Sequence, residues 1–253
     1  MAADTQPYPQ MAGPGRALVL HQRPVVIDLI ELTLNHGHFT VRPAHTLAEA
    51  IAILDAWQPD IAVIEMDHAE SAAFLGHLRA PREPGPQSIP ALGLTRRGDL
   101  KSHRRAYELG VDDILTVPFL PEDLLARTIA ATGRTPGRDR SIVPMITVGG
   151  IQLDILNRRV HSGDSVAHLN GIEHSLLYLL ASRSGSVVTH EEIVGAIWGP
   201  DFAMEGDVVD RHIQSLRIKL RASHRDSRFI ATVPGHGYEF ISSLTNLGWD
   251  DPI

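Results

Sequence analysis

The sequence predicts an α/β domain with a doubly wound, five-stranded parallel sheet, followed by a smaller winged helix-turn-helix domain. In the first half, five short apolar runs alternate with five helical patterns, which is typical of a parallel sheet covered by helices on both faces. In the second half, three helical patterns precede two short strands around a Gly-rich turn, the element order of a winged helix. Between the halves, Gly, Pro and Arg replace the apolar periodicity over residues 133–144, which predicts a linker.

The elements of the first half follow from these patterns in chain order. The predicted strands are Ala17–Leu20, Phe39–Arg42, Ile61–Ile64, Ala91–Leu94 and Asp113–Val117. The predicted helices are Pro24–His36, Thr46–Trp57, Ser71–Arg79, Asp99–Leu109 and Pro121–Thr132. In such sheets ligands bind at the carboxyl ends of the strands. We therefore expect any chemistry in the loops after strands one, three, four and five.

The second half opens with four predicted strands. They are Ile146–Val148, Ile151–Leu153, Arg159–His161 and Val166–Leu169, and they precede helices over Gly171–Arg183, Glu191–Ile197 and Asp207–Ala222 and a hairpin of Arg228–Val233 and Tyr238–Ile241. Asn170 with Glu173, and Thr189 with Glu192, have the spacing of helix-capping pairs. We place the two domains at residues 16–132 and 145–243, with tails at 1–15 and 244–253.

Composition narrows the class of protein. The chain has 253 residues, of which 43% are hydrophobic and 21% charged, and it contains no cysteine. A globular core is therefore expected, whereas disulfides, zinc–thiolate sites and thiol nucleophiles are excluded. No apolar run reaches the roughly 20 residues of a membrane span, and the N-terminus lacks the pattern of a secretory signal. We expect a soluble, cytoplasmic protein without a membrane partner.

One basic segment stands out in a chain whose net charge is −7. Residues 211–228 contain six Lys and Arg and a single acid, which indicates an anion site such as DNA, although a solvated helix face is the alternative interpretation. On a helical projection Val209, Ile213, Leu216 and Leu220 form an apolar stripe. The opposite side is polar apart from one residue: it carries Arg211 and Ile218, flanked by Gln214 and Ser215, with Arg217, Lys219 and Arg221 towards its edges. Such a helix suits the major groove, where arginine pairs with guanine and glutamine with adenine.

At this point the sequence resembles the OmpR/PhoB class of two-component response regulators. In the second half Ala196–Gly199, Val208–Leu220 and Thr232–Phe240 are similar to that family's transactivation-loop entry, recognition helix and wing. In the first half Pro59–Met66, Ile89–Thr95 and Gly110–Phe119 are similar to strands three, four and five of its receiver domain. The resemblance implies a receiver-like, flavodoxin-like first domain and a transcriptional regulator that binds double-stranded DNA at tandem half-sites.

The phosphorylation pocket that the family carries is degenerate in this sequence. His21 and Gln22 stand where two metal-binding acids are expected, Glu65 at the aspartyl acceptor, Val117 at the lysine and Ile114 at the aromatic switch position, and of the set only Thr95 remains. One carboxylate beside an imidazole and an amide is a poor Mg²⁺ site. Without metal or lysine, phosphoryl transfer lacks its electrostatic stabilisation. We therefore expect a regulator that is active without aspartyl phosphorylation and that needs no cofactor.

The degenerate pocket leaves alternatives open. Glu65 either places its carboxylate near Thr95 and mimics a phosphorylated aspartate, or points into solvent. His21, Glu65 and His68 have the ligand types of a transition-metal site, and Val117, Ile114 and Gly93 allow an apolar small-molecule site for an effector. No nucleophile–base pair or phosphate-binding Gly loop occurs, so we expect no enzyme.

The resemblance also implies partners. Positions that meet DNA in the family, mostly at the backbone, correspond to Trp198, His212, Arg217, Thr232 and Tyr238, and Pro234 followed by His236 replaces the wing arginine. The loop Pro200–Gly206 corresponds to the surface that faces RNA polymerase. A homodimer surface corresponds to Arg104, Arg105, Asp112, Asp113, Glu122 and Arg127. The competing hypothesis is a signalling adaptor that binds protein partners through its first domain, with weak or no DNA binding.

Overall fold

The computed structural model describes most of the chain. The described residues are 14–36, 39–67, 69–80, 89–96, 100–133, 145–199, 202, 207–223 and 229–241, without the side chains of residues 36, 96 and 221–223. Nearly all of both predicted tails, most of the predicted linker, His68 and most of the loop Pro200–Gly206 therefore lie outside the described residues.

The first part of the chain forms a five-stranded parallel sheet. Its strands are β1 (Gly15–Leu20), β2 (Phe39–Ala44), β3 (Ile61–Glu65), β4 (Ala91–Arg96) and β5 (Asp113–Val117), in the order β2-β1-β3-β4-β5. Its helices are α1 (Pro24–His36), α2 (Leu47–Trp57), α3 (Ser71–Arg79), α4 (Leu100–Glu108) and α5 (Pro121–Thr132). The predicted doubly wound fold is confirmed.

The central strands show why the sequence adopts this sheet. Residues 17–20 of β1 and 61–64 of β3 are fully buried on both sides, as expected where helices cover both faces of a parallel sheet. The register pairs Leu20 with Ile64 and Glu65 with Leu94. His21, which follows β1, and Thr95, near the end of β4, therefore lie at one edge of the sheet.

The second part of the chain has the predicted winged-helix architecture. Strands β6 (Met145–Val148), β7 (Ile151–Asp154), β8 (Arg159–Ser162) and β9 (Ser165–His168) form an antiparallel sheet. Helices α6 (Gly171–Ser182), α7 (His190–Ile197) and α8 (Val208–Ser223) follow, and β10 (Val187–Thr189), β11 (Ile230–Val233) and β12 (Gly237–Phe240) pair in the order β10-β12-β11. Most predicted boundaries agree within two residues.

Strand β10 was absent from the sequence prediction. Its three residues are too few to show a period of two, and their pairing with β12 is a tertiary contact.

The predicted helix-capping pairs are confirmed. Asn170 with Glu173 and Thr189 with Glu192 both form complete capping boxes at the starts of α6 and α7, and each cap stabilises its helix by about 1 kcal/mol.

Helix α1 joins the two parts of the fold. It packs against both α5 and α6, and buried residues of both parts form one continuous hydrophobic cluster. Around this contact the Arg23 guanidinium donates to the Gly195 carbonyl (3.1 Å) and Nδ1 of His174 lies 2.9 Å from the Glu122 carboxylate. A Cβ at position 195 would lie 2.5 Å from the Arg23 Nη2 atom, so a glycine permits this approach.

Among the described residues, none of the helices has both the length and the apolar character needed to cross a membrane.

Candidate nucleic-acid interface and the carboxyl edge of the parallel sheet

Helix α8 docks on its domain through the predicted stripe. The four side chains of this stripe are nearly inaccessible to solvent and belong to the hydrophobic core; they are Val209, Ile213, Leu216 and Leu220. Burying four aliphatic side chains stabilises this docking by about 1.5–3 kcal/mol each. The helix is therefore held firmly with one side outward.

The outward side of α8 presents three exposed side chains. Arg211 and Gln214 are exposed, and Ile218 retains 60% of its accessible surface. Arg211 forms an exposed pair with Asp207 at 3.2 Å, one turn earlier, and such a pair adds little to stability. The guanidinium is therefore available at little cost to another acceptor.

One flank of α8 is used inside the domain. The Ser215 hydroxyl donates to the Glu173 carboxylate at 2.7 Å, and the Lys219 ammonium donates to its other oxygen at 2.5 Å. Burial acts to raise the pKa of Glu173, but the bonds from Lys219, Ser215 and Asn170 outweigh it and lower that pKa. Ser215 thus faces α6, and its contact with DNA stays a prediction. A helical projection gives no information on which flank a neighbouring helix covers.

The other flank of α8 is tied to the wing. The Arg217 guanidinium donates to the Ile230 carbonyl (2.9 Å) and the Thr232 hydroxyl (2.7 Å), and lies over the Tyr238 ring. Burial and a hydrogen bond to Asp210 raise the pKa of Tyr238 to about 12, so the phenol remains protonated and donates to Asp210. Tyr238 is only 4% exposed. Tyr238 therefore fixes the wing to α8, and its contact with the DNA backbone stays a prediction.

Two further predicted positions lie beside the start of α8. The ring centroids of Trp198 and His212 are 5.6 Å apart, and the Phe202 ring stacks on the Trp198 indole with a centroid distance of 5.8 Å. Burial lowers the pKa of His212, so this imidazole is neutral at pH 7. On the wing, Thr232, Pro234 and His236 are exposed. The side chain of Arg221 lies outside the described residues.

At the carboxyl edge of the parallel sheet, Glu65 is held by the chain after β1. Its carboxylate accepts a hydrogen bond from the Gln22 backbone amide at 3.0 Å and lies 3.5 Å from Nδ1 of His21. That Nδ1 accepts from the Arg23 backbone amide at 3.0 Å, so it carries a lone pair and the imidazole is neutral in this geometry. The contact between Glu65 and His21 is therefore not a pair of full charges.

Thr95 also lies at this edge. It is 1% exposed, and its hydroxyl makes no hydrogen bond to any described residue. Glu65 instead binds Gln22, and its side chain is 22% exposed. Glu65 is thus tied to the chain after β1, while both alternatives for its carboxylate, a phosphoaspartate mimic near Thr95 or a solvent-facing group, stay predictions.

The residues of this edge do not fit Mg²⁺, which prefers carboxylate oxygens. Among the described residues no group of three His, Cys, Asp or Glu side chains is placed to hold a metal ion, and His68 lies outside them. A site at Gly93 is also closed, because a Cβ there would lie 3.0 Å from the Met66 side chain. The space lies on the Val117 side instead, where a cavity of about 630 Å³ opens towards α7.

The residues expected at a dimer surface divide into two groups. Glu122 faces the second domain, where it meets His174 at 2.9 Å and Arg158 at 3.6 Å, and its place on a dimer surface stays a prediction. Asp112 pairs with Arg79, and the remaining pairs are local and exposed: Asp113 with Arg127, and Arg104 with Glu108. Arg105 is exposed on α4.

Two known transcriptional regulators resemble this chain along most of its length. Residues 164–240 match the family model described as the C-terminal part of transcriptional regulatory proteins. The phosphate regulon transcriptional regulatory protein PhoB of Klebsiella pneumoniae is 30% identical over 227 residues, covering 89% of this chain and 97% of that protein. The DNA-binding dual master transcriptional regulator RpaA of Synechocystis is 29% identical, covering 88% and 93%. The solved response regulator DrrB of Thermotoga maritima is 23% identical, with a TM-score of 0.40, covering 90% and 99%.

The receiver-like sheet, the winged helix and the relatives PhoB and RpaA define a DNA-binding transcriptional regulator of the response-regulator class. The chain belongs to the OmpR/PhoB family.

Proposed function

We propose that this regulator binds DNA without aspartyl phosphorylation. The observation that carries the proposal is the state of the carboxyl edge, where the acceptor position holds Glu65, bonded to the Gln22 amide, and the lysine position holds Val117. A phosphoryl transition state requires cations around its equatorial oxygens. Val117 supplies none, and His21 and Gln22 do not assemble a Mg²⁺ site.

The DNA interface consists of the outward side of α8 and the wing. Arg211 and Gln214 would contact base edges, while Arg217, Thr232 and His236 would lie near the phosphates. Internal hydrogen bonds support this assignment, because they orient α8 and the wing before any DNA binds.

The protein is proposed to act as a homodimer on tandem half-sites, with the loop Pro200–Gly206 facing RNA polymerase. The exposed charges of α4, β5 and α5 support the dimer.

The first test is chemical. We expect incubation of the full chain with acetyl phosphate and Mg²⁺ to add no phosphoryl group by intact-mass spectrometry, because the edge lacks the required cations. The Glu65→Asp variant serves as the matched control: it restores the acceptor but not the lysine or the metal ligands, and it should also remain unmodified. A phosphoryl adduct on the wild-type chain that disappears in Glu65→Gln would contradict the proposal.

A further inference from the structure

A cavity between the two domains has the features of a ligand site. It has a volume of about 630 Å³, with Glu65, Thr95 and Val117 on the receiver-like side and Glu191 and Val194 of α7 on the other. Small-molecule sites in proteins span about 300–1,000 Å³. We propose that this cavity binds an amphiphilic organic cation, an ammonium group attached to an apolar body, and contacts it from both domains. The proposal deepens the proposed function, on which it rests, by naming the kind of effector that would take the place of a phosphoryl group.

The charge of the lining favours a cation. Among the described lining residues, three carry carboxylates, Glu65, Asp67 and Glu191, and one carries a guanidinium, Arg23. That guanidinium donates to the Gly195 carbonyl, and the geometry at His21 is that of a neutral imidazole. An anionic ligand would meet an excess of negative charge, whereas an ammonium group would lower it.

The rest of the lining favours an apolar body. Leu94, Val117, Val194 and Phe202 contribute hydrocarbon surface to the same space. Val117 matters most here, because it stands where the family's pattern has a lysine: an aliphatic group replaces a cation, which removes both a charge and an obstacle to an incoming amine. A small inorganic cation would leave this apolar surface uncovered.

Thr95 supplies an independent indication of a ligand. Its hydroxyl is buried at the receiver-like side of the cavity and lacks a hydrogen-bond partner among the described residues. Leaving a buried hydroxyl without a partner costs about 1–3 kcal/mol. An ammonium N–H donated to the Thr95 oxygen would recover part of this cost, and the neighbouring Glu65 would share the positive charge.

The test uses the full chain and two probes of equal shape, 4-phenylbutylamine and the neutral 4-phenylbutan-1-ol, in calorimetric titrations. We expect the amine to bind about tenfold more tightly than the alcohol, with a difference that shrinks as salt is added. Glu65→Gln and Glu191→Gln, one from each wall, should each reduce amine affinity about two- to fivefold, and Thr95→Val should reduce it as well. Asp164→Asn removes an exposed carboxylate that does not line the cavity, and it should leave the affinity unchanged.

Equal affinity for the two probes, or no binding of the amine at millimolar concentration, would overturn the proposal. An effect of Glu65→Gln without an effect of Glu191→Gln would overturn the two-domain site. DNA binding measured without any probe reports separately on phosphorylation independence. A chain that binds the amine but requires a phosphodonor to bind DNA would overturn the proposed function and leave the site standing.

Discussion

Helix α8 and the carboxyl edge of the parallel sheet use their polar side chains differently. On α8 the flanking residues are satisfied internally, Ser215 and Lys219 by Glu173 and Arg217 by the wing, and only the outward side is left exposed. At the carboxyl edge the buried Thr95 hydroxyl has no partner among the described residues. The flanks of α8 are thus ordered by contacts within the domain, whereas at the edge Glu65 and Val117 stand where the family's pattern has an aspartate and a lysine.

The largest effect is expected from the outward side of α8. Arg211→Ala removes the longest exposed donor of that side, and we expect DNA affinity to fall by about 5- to 150-fold, equivalent to about 1–3 kcal/mol for one base contact. Fluorescence anisotropy with a selected genomic fragment measures the change. Arg42→Ala removes the same charge from the receiver-like domain, where the arginine lies over Trp57, and should change affinity less than twofold. Equal losses in both variants would mean that net charge, not a base contact, drives binding.

The contacts that hold one flank of α8 inside its domain depend on Glu173. It is buried and accepts from Asn170, Ser215 and Lys219, so Glu173→Gln removes the charge that these donors stabilise. We expect the free energy of unfolding to fall by about 2 kcal/mol. Urea denaturation followed by circular dichroism measures this, with the exposed Asp164→Asn as the control that should be silent.

The same carboxylate predicts a pH dependence. Because the pKa of Glu173 lies below its ordinary value of 4.5 in the folded chain, its contribution is complete above pH 4.5 and is lost as the pH falls through the folded-state pKa. Stability of the wild-type chain should therefore decline in this acid range more steeply than that of Glu173→Gln. Parallel slopes for the two chains would show that Glu173 is not the titrating group.

A smaller effect on DNA affinity is expected from Ile218, on the outward side of α8. Ile218 is 60% exposed on an otherwise polar surface, and an aliphatic side chain in the major groove discriminates thymine by its methyl group. We expect uracil in place of the contacted thymine to cost the wild type about 1 kcal/mol, roughly a fivefold loss, and Ile218→Asn almost nothing. If both proteins respond equally to uracil at every position of the site, Ile218 does not read a methyl group.

The smallest effect concerns the contact between the domains. Glu122→Gln weakens its pairing with the buried His174 and with Arg158, and we expect a loss of about 0.5–1 kcal/mol. Limited proteolysis in the linker region should become faster. Asp123→Asn alters the neighbouring exposed residue of α5 and should leave the cleavage rate as it is in the wild type.

The sequence allowed most of the fold to be predicted, because its signals are local. The buried strands around Ala17–Leu20 and Ile61–Ile64 are unbroken apolar runs, and the apolar stripe of α8 repeats at the helical period. The two capping boxes were visible as residue pairs three apart. Strand β10 could not be predicted, since three residues acquire their conformation from β12 rather than from their own pattern.

The candidate sites were predictable in position but not in detail. The strand ends placed His21, Glu65, Thr95 and Val117 at one edge. Sequence alone did not show that Ser215 faces Glu173, that Tyr238 is buried, or that Glu122 meets His174. Each of these depends on a tertiary contact between residues at least 42 positions apart or on a burial that no local period reveals. The cavity wall supplied by α7 was missed for the same reason.

We propose that α8 and the wing bind DNA while the carboxyl edge of the parallel sheet carries no phosphoryl chemistry. The most direct test compares the affinity of the untreated full chain for a selected DNA fragment with its affinity after incubation with acetyl phosphate and Mg²⁺, by fluorescence anisotropy at two salt concentrations. We predict the same dissociation constant in both preparations, within about twofold, and a steep loss of affinity as salt rises. Binding that appears, or strengthens about tenfold or more, only after the phosphodonor would contradict the account.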